Sequence, residues 1–177
     1  MQKIIFFLAL IAIGCDKKIE KSEINYFDLK GLVTSQIGDL NQKQPRLLKN
    51  WQIGSKKESK EFEKTDWNKE LEVFIEADIN KSGLKNSYVT EKIGFTDKYK
   101  LKEGENAPIK YLIVKKDSLG MTEQVELESG MNNYLFESKT KLKLILKDNK
   151  LQSYSAEGYQ KLFFGKADST KIEGIIL

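Results

Sequence analysis

Three hydrophobic patterns follow one another along the 177-residue chain. Residues 4–13 form an unbroken apolar run, Ile-Ile-Phe-Phe-Leu-Ala-Leu-Ile-Ala-Ile. Between about residues 24 and 83, most apolar residues recur at spacings of three and four, the period of a helix with one buried face. From Ser87 onward the period is two, the signature of strands with one buried face.

The helical spacing predicts a first helix over residues 24–42. Tyr26, Leu29, Val33, Ile37 and Leu40 would share one face. Gly31 and Gly38 weaken it in isolation, so it depends on a core to hold it. Pro45 lies just past its end. Residues 46–53 alternate, with Leu47, Trp51 and Ile53 on one side. Gly54-Ser55 and a charged run centred on Phe62 follow, which predicts a hairpin with a weak outer strand. Thr65-Asp66 offers an N-cap for a second helix. Its stripe is Trp67, Leu71, Phe74 and Ile75, and its end falls near Ser82-Gly83, with the glycine just beyond the last turn.

The alternating half reads as short strands joined by turns. Ile93, Phe95, Tyr99 and Leu101 form one set, and Ile109, Tyr111 and Ile113 the next. Met121, Val125 and Leu127 follow, then Leu142, Leu144 and Leu146. Residues 159–164 and 171–176 close the series. Turns are expected at 117–120 and 148–150. The order helix, hairpin, helix and about six strands predicts an α+β fold, with two helices packed on one face of a curved antiparallel meander sheet. Trp51, Trp67, Phe74, Phe95, Tyr111 and Phe164 occupy core-type positions.

The apolar run at the start calls for a different explanation. As a helix its ten residues would span about 15 Å, half of a hydrocarbon core of roughly 30 Å. Lys3 precedes it and Gly14-Cys15 ends it, after which charge begins with Asp16-Lys17-Lys18. That layout fits the apolar segment of a secretory signal. Ala12-Ile13-Gly14-Cys15 resembles the bacterial lipobox, with the small and the aliphatic residue interchanged. The resemblance implies cleavage after Gly14, diacylglyceryl transfer to the Cys15 sulfur and acylation of the new amine. Three chains exceed the two membrane signals that stable anchoring needs. Residues 1–14 are then the signal peptide, 15–23 the lipidated cysteine and a charged tether, and 24–177 a single domain. The chain resembles small envelope lipoproteins of Bacteroidota type. This implies a place in the bacterial cell envelope, on the outer membrane and facing the periplasm or the surface.

Composition narrows the chemistry. There is no histidine, the commonest general base and metal ligand, and one cysteine, which lies in the signal region. Disulfide frameworks, zinc knuckles and cysteine–histidine pairs within one chain are thereby excluded. Net charge is +4 over the whole chain, with 30 bases and 26 acids. Losing residues 1–14 removes only Lys3, which leaves +3. Acids sit among the bases, and no basic run is interleaved with aromatics, so nucleic acid is not expected as a partner.

Three motifs carry candidate chemistry. Asp78, Asn80 and Ser82, followed by Gly83, match the first half of a calcium loop. The second half departs from it, because Val89 stands where a bidentate glutamate is needed, so no metal site is expected. Ser138-Lys139-Thr140-Lys141 has the spacing of penicillin-recognising enzymes, but that chemistry needs a helix and the segment leads into a strand. Glu70, Glu72 and Glu76 on the second helix, and Glu123, Glu126 and Glu128 on a strand, supply carboxylates without selecting a pair. The expectation is a non-catalytic envelope lipoprotein without cofactor, attached to the membrane by its lipid and binding an envelope protein or acting structurally. The alternative is a carrier of a hydrophobic ligand. A carboxylate-based hydrolase ranks third.

Overall fold

The computed structural model describes residues 25–132, 136–162 and 168–177. Among these, nine strands form one open antiparallel sheet and three helices accompany it, an α+β architecture.

Helix α1 runs over Leu29–Lys43. Asp28 caps it, its Oδ1 accepting from the Gly31 backbone N at 2.7 Å. A Cβ on Gly31 would lie 2.2 Å from Asp28 Oδ2, so the glycine that weakens the helix also makes room for its cap. Gln44 turns into the left-handed region (φ 44°, ψ 53°), and its N–H closes the last turn on Leu40 O, before Pro45. The helix starts later than the spacing predicted. Tyr26 lies ahead of it, edge-on to the rings of Tyr88 and Tyr99.

The hairpin is β1 (Leu47–Ile53) and β2 (Lys56–Phe62). The second helix departs from the expectation. It divides at Leu71 into α2 (Trp67–Glu70) and α3 (Glu72–Glu76) and ends there, short of residue 82. Ser82 and Gly83 belong to a separate 3-10 turn, Ser82–Leu84. The cause lies in residues 77–80, where Ala77, Asp78, Ile79 and Asn80 are all buried. There the Asn80 side chain turns to the backbone of residues 25–27, which holds the segment out of the helix.

The period-two region forms seven strands rather than six: β3 (Tyr88–Ile93), β4 (Thr96–Leu101), β5 (Ile109–Lys116), β6 (Thr122–Asn132), β7 (Phe136–Lys147), β8 (Lys150–Leu162) and β9 (Asp168–Ile176). The spatial order is β2-β1-β9-β8-β7-β6-β5-β4-β3. Strands β3 to β9 are a meander in chain order, and the N-terminal hairpin adds beyond the last strand, β1 pairing with β9. The β7–β8 turn forms as expected, with Asp148 and Asn149 both at positive φ, the geometry of a two-residue hairpin loop.

One cluster holds the core. Leu29, Val33, Ile37 and Leu40 of α1 join Trp67, Leu71 and Phe74 and the buried sheet residues Leu112, Val114, Val125, Leu127, Leu142, Leu144 and Tyr154. A register shift between Ile109 and Tyr111 decides which side of β5 faces this core. Leu112 and Val114 are buried, whereas Tyr111 and Ile113, expected inside, are half-buried on the other face. Trp51 is half-buried, and Phe95 is exposed in the β3–β4 turn. Phe164 lies outside the described residues.

Candidate functional site

The residues of the lipobox, Cys15 and Gly14 included, and the tether of residues 16–23 lie outside the described residues. The described residues begin at Asn25, beside the calcium-like stretch. The Asn80 side-chain oxygen accepts from the backbone N of Asn25 at 3.0 Å and of Tyr26 at 2.9 Å. Its amide nitrogen donates to Phe27 O at 2.9 Å and to Asp78 Oδ1 at 3.1 Å. Asp78 and Asn80 are buried, and Ser82 starts the 3-10 turn. Of the oxygens that matched a metal loop in the sequence, that of Asn80 thus clamps residues 25 and 26, and that of Asp78 holds the Asn80 amide. The Tyr26 hydroxyl donates toward Leu84 O and Lys85 O and accepts from the Tyr88 N–H. Among the described residues, no group of three or more acidic or sulfur side chains is placed to hold a metal ion.

A second polar cluster stands where α2 and α3 meet the sheet. Lys49 Nζ lies 2.6 Å from Glu70 Oε1, and the Tyr154 hydroxyl donates to the same oxygen. Three elements supply these groups: β1, α2 and β8. The Tyr154 ring packs edge-on to Phe74, with centroids 6.2 Å apart. Burial, and then the bond to the Glu70 carboxylate, push the Tyr154 phenol far above its ordinary value. It stays protonated at neutral pH and serves as a donor. Beside the cluster opens a groove of about 470 Å³, whose apolar lining includes Val73, Phe74, Ala156 and Ile172. Ile172 pairs in register with Trp51, which shares the side of β1 that carries Lys49. Glu72 and Glu76 line the same groove. Sequence reasoning missed Lys49 and Tyr154, because the partners lie as far as 84 residues apart.

Of the β6 carboxylates, Glu126 and Glu128 alternate with the buried Val125 and Leu127, and Glu123 is exposed at the strand's irregular start. Tyr111, Glu128, Lys141, Glu157 and Lys171 stand opposite one another in successive strands, a ladder of alternating charge. Glu126 likewise faces Lys143. The Lys171 ammonium, 2.7 Å from Glu157, lowers the carboxyl's pKa and is itself raised. Ser138 and Lys141 lie in β7, a strand as expected, and Ser138 pairs with Met131.

No helix among the described residues is long and apolar enough to cross a membrane. Comparison with protein-family models, with curated proteins and with solved structures found no match to this chain.

Proposed function

We propose that this chain is a non-catalytic lipoprotein of the bacterial envelope, anchored through lipid on Cys15, which binds an envelope protein or acts structurally at the membrane surface. In this reading the helices lie on one face of a curved sheet, and the rest of the sheet is offered to a partner. Nucleic acid and cofactors have no part in it. The observation that carries the reading is the position of the sole thiol, directly after ten apolar residues and Gly14 and directly before a charged stretch. The fold adds support. Asn80 grips the chain just after the tether, so a pull on the anchor is borne by the core. Although Lys49 and Glu70 line the groove, their charges neutralise each other and Glu70 also accepts from Tyr154, which speaks against the carboxylate hydrolase.

The groove beside Val73, Ala156 and Ile172 supports the second reading, a carrier of a hydrophobic ligand. Against it, Trp67, Leu71 and Phe74 fill the space between helices and sheet. The groove is also rimmed by Lys69, Glu72 and Glu76.

The test is metabolic labelling with palmitate in a bacterial host. Label should enter the wild-type chain and be absent from Cys15→Ser, which should leave the membrane fraction. A wild-type chain that takes up no label, with Cys15→Ser still membrane-bound, overturns the reading.

A further inference from the structure

Two neighbouring turns at one end of the sheet carry large apolar side chains into solvent. In the β3–β4 turn, Ile93 is 72 % and Phe95 60 % exposed. In the β5–β6 turn, Leu119 is 81 % and Met121 36 % exposed. Single exposed apolar residues are ordinary, but four on adjacent turns form a patch that calls for an occupant.

The turns are tied together and held in shape. Lys116 N donates to Phe95 O at 2.9 Å, and Lys116 Nζ lies 2.6 Å from Asp97 Oδ2. Asp117 Oδ1 accepts from the backbone N of Leu119 and of Met121, each at 2.8 Å. Gly94 takes the positive φ that its turn needs. Preset turns of this kind present Phe95 and Leu119 without a cost of ordering the backbone that carries them. The acids Asp97 and Asp117 are engaged within the turns, while Lys92 and Lys115 stand exposed beside them.

The described residues begin on the same hairpin. Tyr26 packs on Tyr88 of β3 and Tyr99 of β4. From Tyr88 to Ile93 the strand climbs about 17 Å at 3.4 Å per residue. Residues 16–24, extended, reach up to roughly 30 Å. A lipid on Cys15 therefore allows the β3–β4 turn to touch the membrane that holds the lipid. We propose that Ile93, Phe95, Leu119 and Met121 insert into the headgroup and upper acyl region of that membrane. Lys92 and Lys115 meet anionic headgroups, and the patch fixes the orientation of the tethered domain. The proposal rests on the lipid-anchor reading for its choice of surface.

The experiment uses the full chain, extracted from bacterial membranes in detergent. It is reconstituted into vesicles of equal parts phosphatidylglycerol and phosphatidylcholine with brominated acyl chains. Phe95→Trp and Leu119→Trp replace exposed side chains and leave the core untouched. Ile53→Trp, 62 % exposed in the native chain and at the opposite end of the sheet, is the reference. The emission added at 95 and 119 should shift to the blue and be largely lost to bromine, with that at 53 retained. Vesicle-bound chain whose added emission at 95 and 119 is unquenched overturns the insertion while leaving the anchor intact. So does equal quenching at all three positions. Chain that never enters the vesicle fraction overturns both.

Discussion

Tyr154 occupies the space in which a side chain on Gly174 would stand. The two residues face each other across β8 and β9, and a Cβ on Gly174 would lie 2.1 Å from Tyr154 Cζ. The bare backbone lets the ring lie flat enough to reach both Phe74 and Glu70. Gly174→Ala should therefore cost about 1–3 kcal/mol through overpacking. Tyr154→Phe should cost about 1–2 kcal/mol, because Glu70 keeps its lysine but loses a buried donor. Denaturant midpoints check both, and a neutral Gly174→Ala would show that the ring shifts freely.

Alkaline pH should unfold the domain through its buried phenols. Burial, then the neighbouring Tyr26, push Tyr88 up to about 12, and its hydroxyl donates to Ile109 O at 2.9 Å. The Tyr154 phenol is raised further. An unfolded tyrosine ionises near 10, so below about pH 10 the stabilisation from the neutral phenols is complete. It declines above that and, for Tyr88, is lost as pH passes through about 12. The denaturation midpoint should fall over this range, and phenolate absorbance of the folded chain should lag behind that of the unfolded chain. Tyr88→Phe should flatten part of the decline.

Asn80→Ala should loosen the entry of the chain. Four hydrogen bonds converge on this buried amide. Its loss should destabilise the domain by about 2–3 kcal/mol, since backbone groups of residues 25–27 lose their partner. Amide exchange at Tyr26 should accelerate more than at Leu127. Calcium should leave both the wild type and the variant unchanged in thermal unfolding.

Gln36→Leu tests the junction of α1 with the β7–β8 turn. Gln36 is buried on the apolar side of α1, where its Oε1 accepts from Leu151 N at 2.8 Å and its Nε2 donates to Asn149 O at 3.1 Å. Leucine matches the helix but leaves a buried N–H without its acceptor, at about 1–3 kcal/mol. Equilibrium unfolding would read it. A gain in stability would mean that hydrophobic contact outweighs the bonds.

The sequence exposed periodic burial and concealed everything that depends on distant partners. Leu142, Leu144 and Leu146, and Leu29, Val33, Ile37 and Leu40, were legible because each set follows one unbroken period. Tyr111 and Ile113 were misplaced because a single register shift in β5 reverses which face is buried, and no turn residue marks it. The second helix was read too long because the bonds that hold Asn80 out of it reach back to residues 25–27, more than fifty positions away. Phe95 looked like a core residue because alternation alone does not show where a strand turns. The Lys49–Glu70–Tyr154 cluster joins three elements that no local pattern connects.

The place of β9 between β8 and β1 bears on how the molecule comes into being. Beyond their hairpin partner β2, Leu47 and its neighbours find their second pairing partner only in residues 170–176, more than a hundred positions later. A chain emerging N-terminus first holds its early hairpin unattached until the final strand arrives. The closing strand acts as a keystone, and long-range closure of this kind is slow. Until residues 170–176 are present, one edge of β1 therefore stays without its ladder partner, and the sheet is completed last in its own interior.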